Sequence, residues 1–248
     1  LGSALTGDLG TSYKDGLPVA DKLVHALRYT LILSVGSLAV SLIAALPLSV
    51  ISAVRKDGLL DNVVRFLSFI GNSLPNFLIS VLLMYFFCIR TKLLPVIAEE
   101  NLKGLIMPCL ALAIPMCSRF IRQFRAEILE QLGRDYVLGA RARGVNSLTI
   151  LFKNVLHNAM IPILTIIALS VGTLLGGSVV VETIFRWPGL GKLVMVSISV
   201  RDYPVIQGFV IFTSCVYVLI NLAADICYRR LDPRVEELSL IHISEPTR

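Results

Sequence analysis

The sequence predicts an all-α polytopic membrane protein with five membrane-crossing helices, and three observations carry that prediction. Hydrophobic residues fill 55% of the 248 positions and the mean hydropathy is +0.78, more apolar than a soluble globular domain. Only 16% of residues are charged, and they cluster between long uncharged runs. Those runs are long enough, at about 1.5 Å per helical residue, to cross a hydrocarbon core of about 30 Å. The net charge of +6 therefore suggests basic loops beside anionic lipid headgroups, with no nucleic-acid partner implied.

The chain opens with a segment, 1–28, whose glycines and proline make it an extramembrane loop, with a short amphipathic piece near 19–27. The run 29–54 is uncharged and forms the first span, bracketed by Arg28 and Arg55-Lys56. Pro47 is expected to loosen its last turn. After a polar link, 55–65, the second span is 66–89. Ser73-Leu74-Pro75-Asn76-Phe77 interrupts it, and a kink is expected at Pro75 because proline removes an N–H and clashes with the preceding turn. A loop, 90–103, holds a proline and Glu99-Glu100. The third span, 104–121, is the shortest, and Arg119 and Arg122 at its end can snorkel to the headgroups.

The interval 119–158 is the longest charged stretch, with seven basic residues: Arg119, Arg122, Arg125, Arg134, Arg141, Arg143 and Lys153. Phe120, Ile121, Phe124, Ile128, Leu129 and Leu132 recur at helical spacing and predict an amphipathic helix ending at Gly133. Asp135 then caps a second helix over 136–143. Gly144 stops that helix after about two turns by taking the left-handed conformation. Ser147 caps a third helix with the apolar face Leu148, Leu151, Val155 and Leu156. A two-turn helix held between glycines is too short to be stable alone. It makes sense as an element on which something docks.

The fourth span, 159–181, contains Gly172-x-x-x-Gly176 and Gly177, which let another helix approach closely. Within 182–207 the apolar stretch 193–200 is too short to cross the bilayer and predicts a re-entrant or interfacial helix. Trp187-Pro188-Gly189-Leu190-Gly191 and Arg201-Asp202-Tyr203-Pro204 bound it, and Trp187 taken alone reads as an interfacial aromatic anchor. Gly189-Leu190-Gly191-Lys192 lacks the earlier glycine and following Ser/Thr of a P-loop, so no nucleotide site is assigned. The fifth span lies near 205–228, which closes a transmembrane domain over 29–235.

The five cysteines form no C-x-x-C pair and the three histidines are isolated, so no disulfide framework, metal site or cofactor is expected. Two features concern the ends. An additional membrane helix is expected upstream of residue 1. The segment 236–248 is expected to be a non-native tail, because 239–248, SLIHISEPTR, resembles translated sequencing-adapter read-through. Basic residues set the orientation. The stretches 55–65, 119–158 and the natural C-terminal tail carry three, seven and three Lys/Arg, against three each in 1–28, 90–103 and 182–207. The richer set, including 119–158, is assigned to the cytoplasm.

Leu138-Gly139-Ala140-Arg141-Ala142-Arg143-Gly144 resembles the EAA loop of binding-protein-dependent ABC importer permeases, an alanine-rich turn followed by a fixed glycine. Leu138-Gly139 departs from the EAA letters, and Pro162 lies further beyond the glycine than in sugar importers. Both departures are similar to the dipeptide/oligopeptide/nickel importer family, with its DYV-x-x-ARA-K/R-G and HNA-x-x-P elements. GDLG-x-S, SLP-x-F, VVVE-x-x-F-x-WPGLG, RDYP and LDPR follow in the same order, so the resemblance covers nearly all of the chain.

The resemblance implies a methionine-importer-like permease core, the first of two permeases, with the family's first helix missing here. It implies half of a translocation path for peptides, a nickel complex or glutathione, in a bacterial or archaeal plasma (inner) membrane. The implied partners are a second homologous permease (a heterodimer), two cytoplasmic ABC ATPases and an extracytoplasmic substrate-binding protein. ATP hydrolysis would lie on the partners, so this subunit is not an enzyme. The ATPase-coupling residues carried over are Asp135, Tyr136, Ala140, Arg141, Ala142, Arg143, Gly144 and Val145, with Ala140 and Ala142 allowing close approach and Arg141 and Arg143 making charge contacts. Pro75, Pro162, Trp187, Pro188, Gly189 and Gly191 are carried over as structural motif positions.

The alternative is an ion-coupled secondary transporter, which needs ionisable residues near the midplane. Only Asp225 lies well inside a span, and Glu182 falls at an edge. An intramembrane protease is disfavoured because the spans hold serines but no histidine to activate one.

Overall fold

The computed structural model describes residues 9–94 and 101–231. The first helix, α1, is Val19–Val54, starting well before the uncharged run. Pro18 fixes the entry and needs no N–H there, and Asp21 in the first turn suits the positive end of the helix dipole. Val19, Leu23 and Ala26 then bury against Leu190 and Val205, so the amphipathic piece fuses with the span. Pro47 sits inside the helix without ending it. One face of α1 is small throughout: Thr30, Ser34, Ser37, Ser41, Ala45, Ser49 and Ser52 are buried. That seam lets the long central helix come close, and the Ser41 hydroxyl donates to the Ser37 carbonyl at 2.6 Å and to the Ala113 carbonyl at 3.2 Å.

The expected kink at Pro75 is a break. α2 is Leu59–Ser73, α3 is Asn76–Met84 with a π-helical continuation Tyr85–Arg90, and the two limbs meet at 100°. Leu74 is extended, with φ −84° and ψ 128°, because a residue before proline is pushed out of the helical region. Pro75 then starts α3, its carbonyl accepting from the amides of Leu78 and Ile79.

α4, Leu102–Leu132, opens on Asn101, whose side chain accepts from the Gly104 amide at 2.8 Å. It does not stop at 121, as hydropathy alone predicts. Phe120, Phe124 and Ile128 are fully buried and carry the helix on as one rod of about 46 Å at 1.5 Å per residue. α5 is Asp135–Ala142. A turn of helix, Ser147–Thr149, passes through a π-helical segment, Ile150–Val155, into α6, Leu156–Phe185. The short apolar helix expected near 193–200 is α7, Leu190–Val200, and α8 is Tyr203–Leu231.

Among the described residues four helices are long and apolar enough to cross a membrane: α1, α4, the helix ending in α6, and α8. The bent pair α2–α3 makes a fifth when it is taken as one broken span. Core residues gather at three levels. Phe120, Phe124, Ile128, Val137, Ile150 and Val155 pack under α5. Leu33, Met107, Val181, Phe185 and Trp187 pack where α1, α4 and α6 cross. Leu23, Leu190 and Val205 close the end where α1 begins. Glu99-Glu100, Gly7-Asp8 of GDLG, Asp232-Pro233-Arg234 of LDPR and the tail 236–248 lie outside the described residues.

Candidate functional site

α5 is positioned by its own two faces and by its stop. Val137 is fully buried and Ala140 is 3% exposed, both in the cluster with Phe124 and Ile128. Asp135, Leu138, Gly139, Arg141, Ala142 and Arg143 are exposed, and Tyr136 is half-buried with its hydroxyl donating to the Gln131 side-chain oxygen at 3.1 Å. Ala140 is therefore corrected as a contact for a partner: its methyl meets the chain's own core and supports the helix from beneath. The outward surface is Leu138, Gly139, Arg141, Ala142 and Arg143.

The stop is the expected one. Gly144 has φ +74°, its amide donates to the Arg141 carbonyl at 2.9 Å, and the Val145 amide donates to the Ala140 carbonyl at 3.2 Å. These two bonds are a Schellman motif, which satisfies carbonyls that the helix end leaves bare. The starts differ from expectation. Arg134 is the extended capping residue and Asp135 opens the first turn without a cap bond. Asn146, and not Ser147, caps the next helix, its side chain accepting from the Leu148 amide at 3.0 Å. Leu148 is exposed, and Ile150 takes the buried place assigned to it.

A second arrangement holds α7 to α1 through the Trp187–Gly191 turn. The Trp187 indole N–H donates to the Tyr29 carbonyl at 3.0 Å, and the ring lies edge-on to Tyr29 with centroids 5.7 Å apart. Trp187 is buried, so it is a core clamp and not an interfacial anchor. Glu182, expected at a span edge, is fully buried inside α6. One carboxylate oxygen accepts from the Thr30 hydroxyl at 2.8 Å and the other from the Gly191 amide at 2.7 Å. Thr30 in turn accepts from the Leu190 amide at 2.8 Å. Glu182 and Thr30 thus each satisfy one bare N–H at the start of α7 from other helices, Glu182 that of Gly191 and Thr30 that of Leu190, and the helix dipole there favours the negative charge. A Cβ at Gly189 would overlap that carboxylate, and one at Gly191 would overlap the Val179 backbone. Pro188 is half-buried in the same turn, and Pro162 sits inside α6.

Beside this clamp lies a cavity of about 510 Å³ between α1, α6, α7 and α8, lined by Gly172, Gly176, Phe209, Thr213 and Tyr217 among others; among the described side chains no charged one lines it. Gly172 admits α8 closely, since a Cβ there would meet the Tyr217 ring at 3.2 Å, whereas Gly176 faces open space.

Two further polar ties escaped the sequence reading. Asp61 on α2 is fully buried and accepts from Nε and Nη2 of Arg125 and from the Ser52 hydroxyl. At the opposite end, Asp202 between α7 and α8 accepts from the Ser12 hydroxyl at 2.5 Å and the Tyr13 amide at 3.0 Å. Burial pushes the Asp202 carboxyl up, but these bonds, the Lys14 amide and the Lys22 cation outweigh it and hold it below its ordinary value. The hydrogen bond from the Lys22 ammonium, at 2.7 Å, brings the neighbouring Asp15 carboxyl down to about 2. The available signal was cost: an acid inside an apolar run, such as Glu182 after three valines, has to be paired.

Residues 45–237 match the family described as binding-protein-dependent transport system inner membrane component. The chain is similar to the glutathione transport system permease protein of Escherichia coli (strain K12), with 35% identity over 235 residues, covering 95% of this chain and 77% of that protein. It is similar also to the oligopeptide transport system permease protein of Bacillus subtilis (strain 168), with 38% identity over 247 residues, covering 95% and 78%. Among solved structures, an inward-facing conformation of the MetNI methionine ABC transporter shares the fold, with a TM-score of 0.71 and 20% identity over 85% of this chain and 96% of that one.

Proposed function

Because the chain belongs to the family of binding-protein-dependent transport system inner membrane components, we propose that α5 is the element through which a partner ATPase drives it and that its cargo is a peptide or a peptide-like solute. It is a multi-pass inner-membrane permease subunit of an ABC importer, and not itself an enzyme. The family works with ATPases and a substrate-binding protein.

The observation that carries the coupling role is the division of α5 into two faces. Val137 and Ala140 anchor one in the core, a Schellman stop fixes its end at Gly144, and Leu138, Gly139, Arg141, Ala142 and Arg143 remain outward. A rigid, shallow surface of this kind suits insertion into a cleft. The excess of basic residues in 119–158 supports a cytoplasmic position. The relatives named for glutathione and oligopeptides support the cargo class. A cavity with no charged residue among its described lining side chains is a poor host for a zwitterionic peptide, which supports a path completed by a second, homologous permease in a heterodimer.

An ion-coupled carrier needs a carboxylate free to bind the ion. Among the residues whose side chains the structure describes, which leave out Asp225, the buried acids are Asp61, Glu182 and Asp202, and each is held by groups of this chain: Arg125, Thr30 with Gly191, and Ser12 with Tyr13. The test is uptake by vesicles holding both permeases, the ATPases and the binding protein. Peptide or glutathione uptake is expected to require ATP and the binding protein and to survive collapse of the proton gradient. Uptake that survives ATP depletion but falls with the gradient overturns the proposal. Ser147→Cys is expected to react only with membrane-permeant reagents, and labelling from outside by an impermeant one reverses the orientation.

A further inference from the structure

Lys56, Arg141 and Ser147 come from three separate segments and line one cleft of about 420 Å³. Lys56 follows the end of α1, Arg141 lies on the outward face of α5, and Ser147 opens the helix that leads into α6. Among the described residues no carboxylate lines the cleft. Two nearby cations are already committed, Arg125 to Asp61 and Arg134 to Glu130, while Arg55 and Arg143, like Lys56 and Arg141, are in no ion pair among the described residues but do not line the cleft. Among the described residues Lys56 and Arg141 make no ion pair, and the Ser147 hydroxyl has no hydrogen-bond partner.

The rest of the cleft is apolar, with Val54, Leu129, Leu132, Leu148 and Leu151 along its wall. Leu148 is 63% exposed, a bare leucine beside two uncommitted cations. An amphiphile with an anionic head answers both halves: the donors take a phosphate, and the leucines take the start of an acyl chain. The position narrows the choice. α1 ends at Val54, where its uncharged run gives way to Arg55 and Lys56, so the cleft opens at the membrane surface, where lipid is the abundant anion and basic pockets between helices collect acidic headgroups.

We propose that this cleft holds the headgroup of an anionic phospholipid, with its phosphate on Lys56, Arg141 and Ser147. The bound lipid bridges the end of α1 to α5. Its assignment to the cytoplasmic leaflet rests on the orientation given above; the site itself does not.

The test uses the purified permease pair without ATPases, so its outcome is separate from whether α5 docks one. The pair is offered phosphatidylglycerol or phosphatidylcholine with the same acyl chains, and bound lipid is counted by native mass spectrometry. Phosphatidylglycerol is expected to be retained and phosphatidylcholine lost. With roughly 1 kcal/mol per basic residue at a membrane surface, Lys56→Gln should weaken retention about fivefold, and Lys56→Gln with Arg141→Gln about 25-fold. Lys153→Gln, an exposed cation outside the cleft, should leave retention unchanged. An equal loss in Lys153→Gln means a diffuse basic surface and overturns the site. Displacement by inorganic phosphate at the lipid's own concentration means a free-anion site and also overturns it, as does equal retention of both lipids.

Discussion

Arg125 of α4 closes a two-point fork on Asp61 of α2, with Nε 2.8 Å from Oδ1 and Nη2 2.7 Å from Oδ2. The Ser52 hydroxyl donates to the same Oδ1 at 2.5 Å, and the Asp57 amide to Oδ2 at 2.9 Å. One carboxylate therefore joins the end of α1, the α1–α2 link, α2 and α4. Phe124 and Ile128, on either side of Arg125 in α4, belong to the core on which α5 rests, so the tie lies next to the helix proposed above as the coupling element.

Removing Arg125 leaves the buried Asp61 carboxylate with only the half-exposed Arg65, 3.9 Å away, as a cation, a loss of up to about 3–5 kcal/mol. Arg125→Met and Asp61→Ala should each sharply lower the melting temperature of the detergent-solubilised protein. Arg125→Lys should also lose stability, since a single ammonium cannot reproduce the fork. The double variant Asp61→Asn with Arg125→Met, free of any lone charge, should recover part of the loss. A melting temperature for Arg125→Met equal to that of the parent would show that the fork contributes nothing.

The Glu182 clamp can be followed through the single tryptophan of the chain, which is 3% exposed. Gly191→Ala forces a methyl into the Val179 backbone, an overpacking of about 1–3 kcal/mol. The expected result is a red-shifted Trp187 emission and lower thermal stability. Thr30→Val removes the donor to Glu182 and the acceptor for Leu190 at nearly constant volume, and should shift the emission the same way. Unchanged emission in both variants would mean the turn is held by other contacts.

Asp202 sets a pH dependence. Its folded carboxyl is held below the value of about 3.9 that it has in an unfolded chain. The clasp to Ser12 and Tyr13 therefore contributes fully above about pH 4, and its contribution is lost as pH falls through the folded pKa. Asp202→Asn should be less stable than the parent at neutral pH, with the difference shrinking as the medium is acidified. A difference that is constant with pH would assign the effect to shape, not charge.

The helices, the glycine stop at Gly144 and a distortion at Pro75 were legible because each is dictated locally, by periodicity or by backbone sterics, although the expected kink is a full break. Helix ends were less legible. α1 and α4 run past their uncharged stretches because Val19, Leu23, Phe124 and Ile128 find tertiary partners that no window of hydropathy contains. The serine seam of α1 was visible in principle, since Ser34, Ser37, Ser41, Ser49 and Ser52 recur at three- and four-residue steps or multiples of them. Ala140 was assigned outward because a loop motif gives residues and not faces. Glu182 with Thr30 and Asp61 with Arg125 join positions far apart in the chain, and only the fold brings them together.

Gly144 offers the sharpest test of the coupling role. Its φ is +74° and a Cβ there would meet nothing within 4 Å, so substitution costs only backbone strain. A β-branched residue in that conformation loses roughly 1–2 kcal/mol, and asparagine, which tolerates it, loses less. Val137 and Ala140 still anchor the inner face of α5, so Gly144→Val should still insert and pair with the second permease proposed above. The strain falls on the bonds from Gly144 to Arg141 and from Val145 to Ala140, loosening the turn that presents Arg141, Ala142 and Arg143. ATPase binding and substrate-stimulated ATP hydrolysis in reconstituted vesicles should therefore fall in the order parent, Gly144→Asn, Gly144→Val. Normal transport by Gly144→Val would remove α5 as the transmission site.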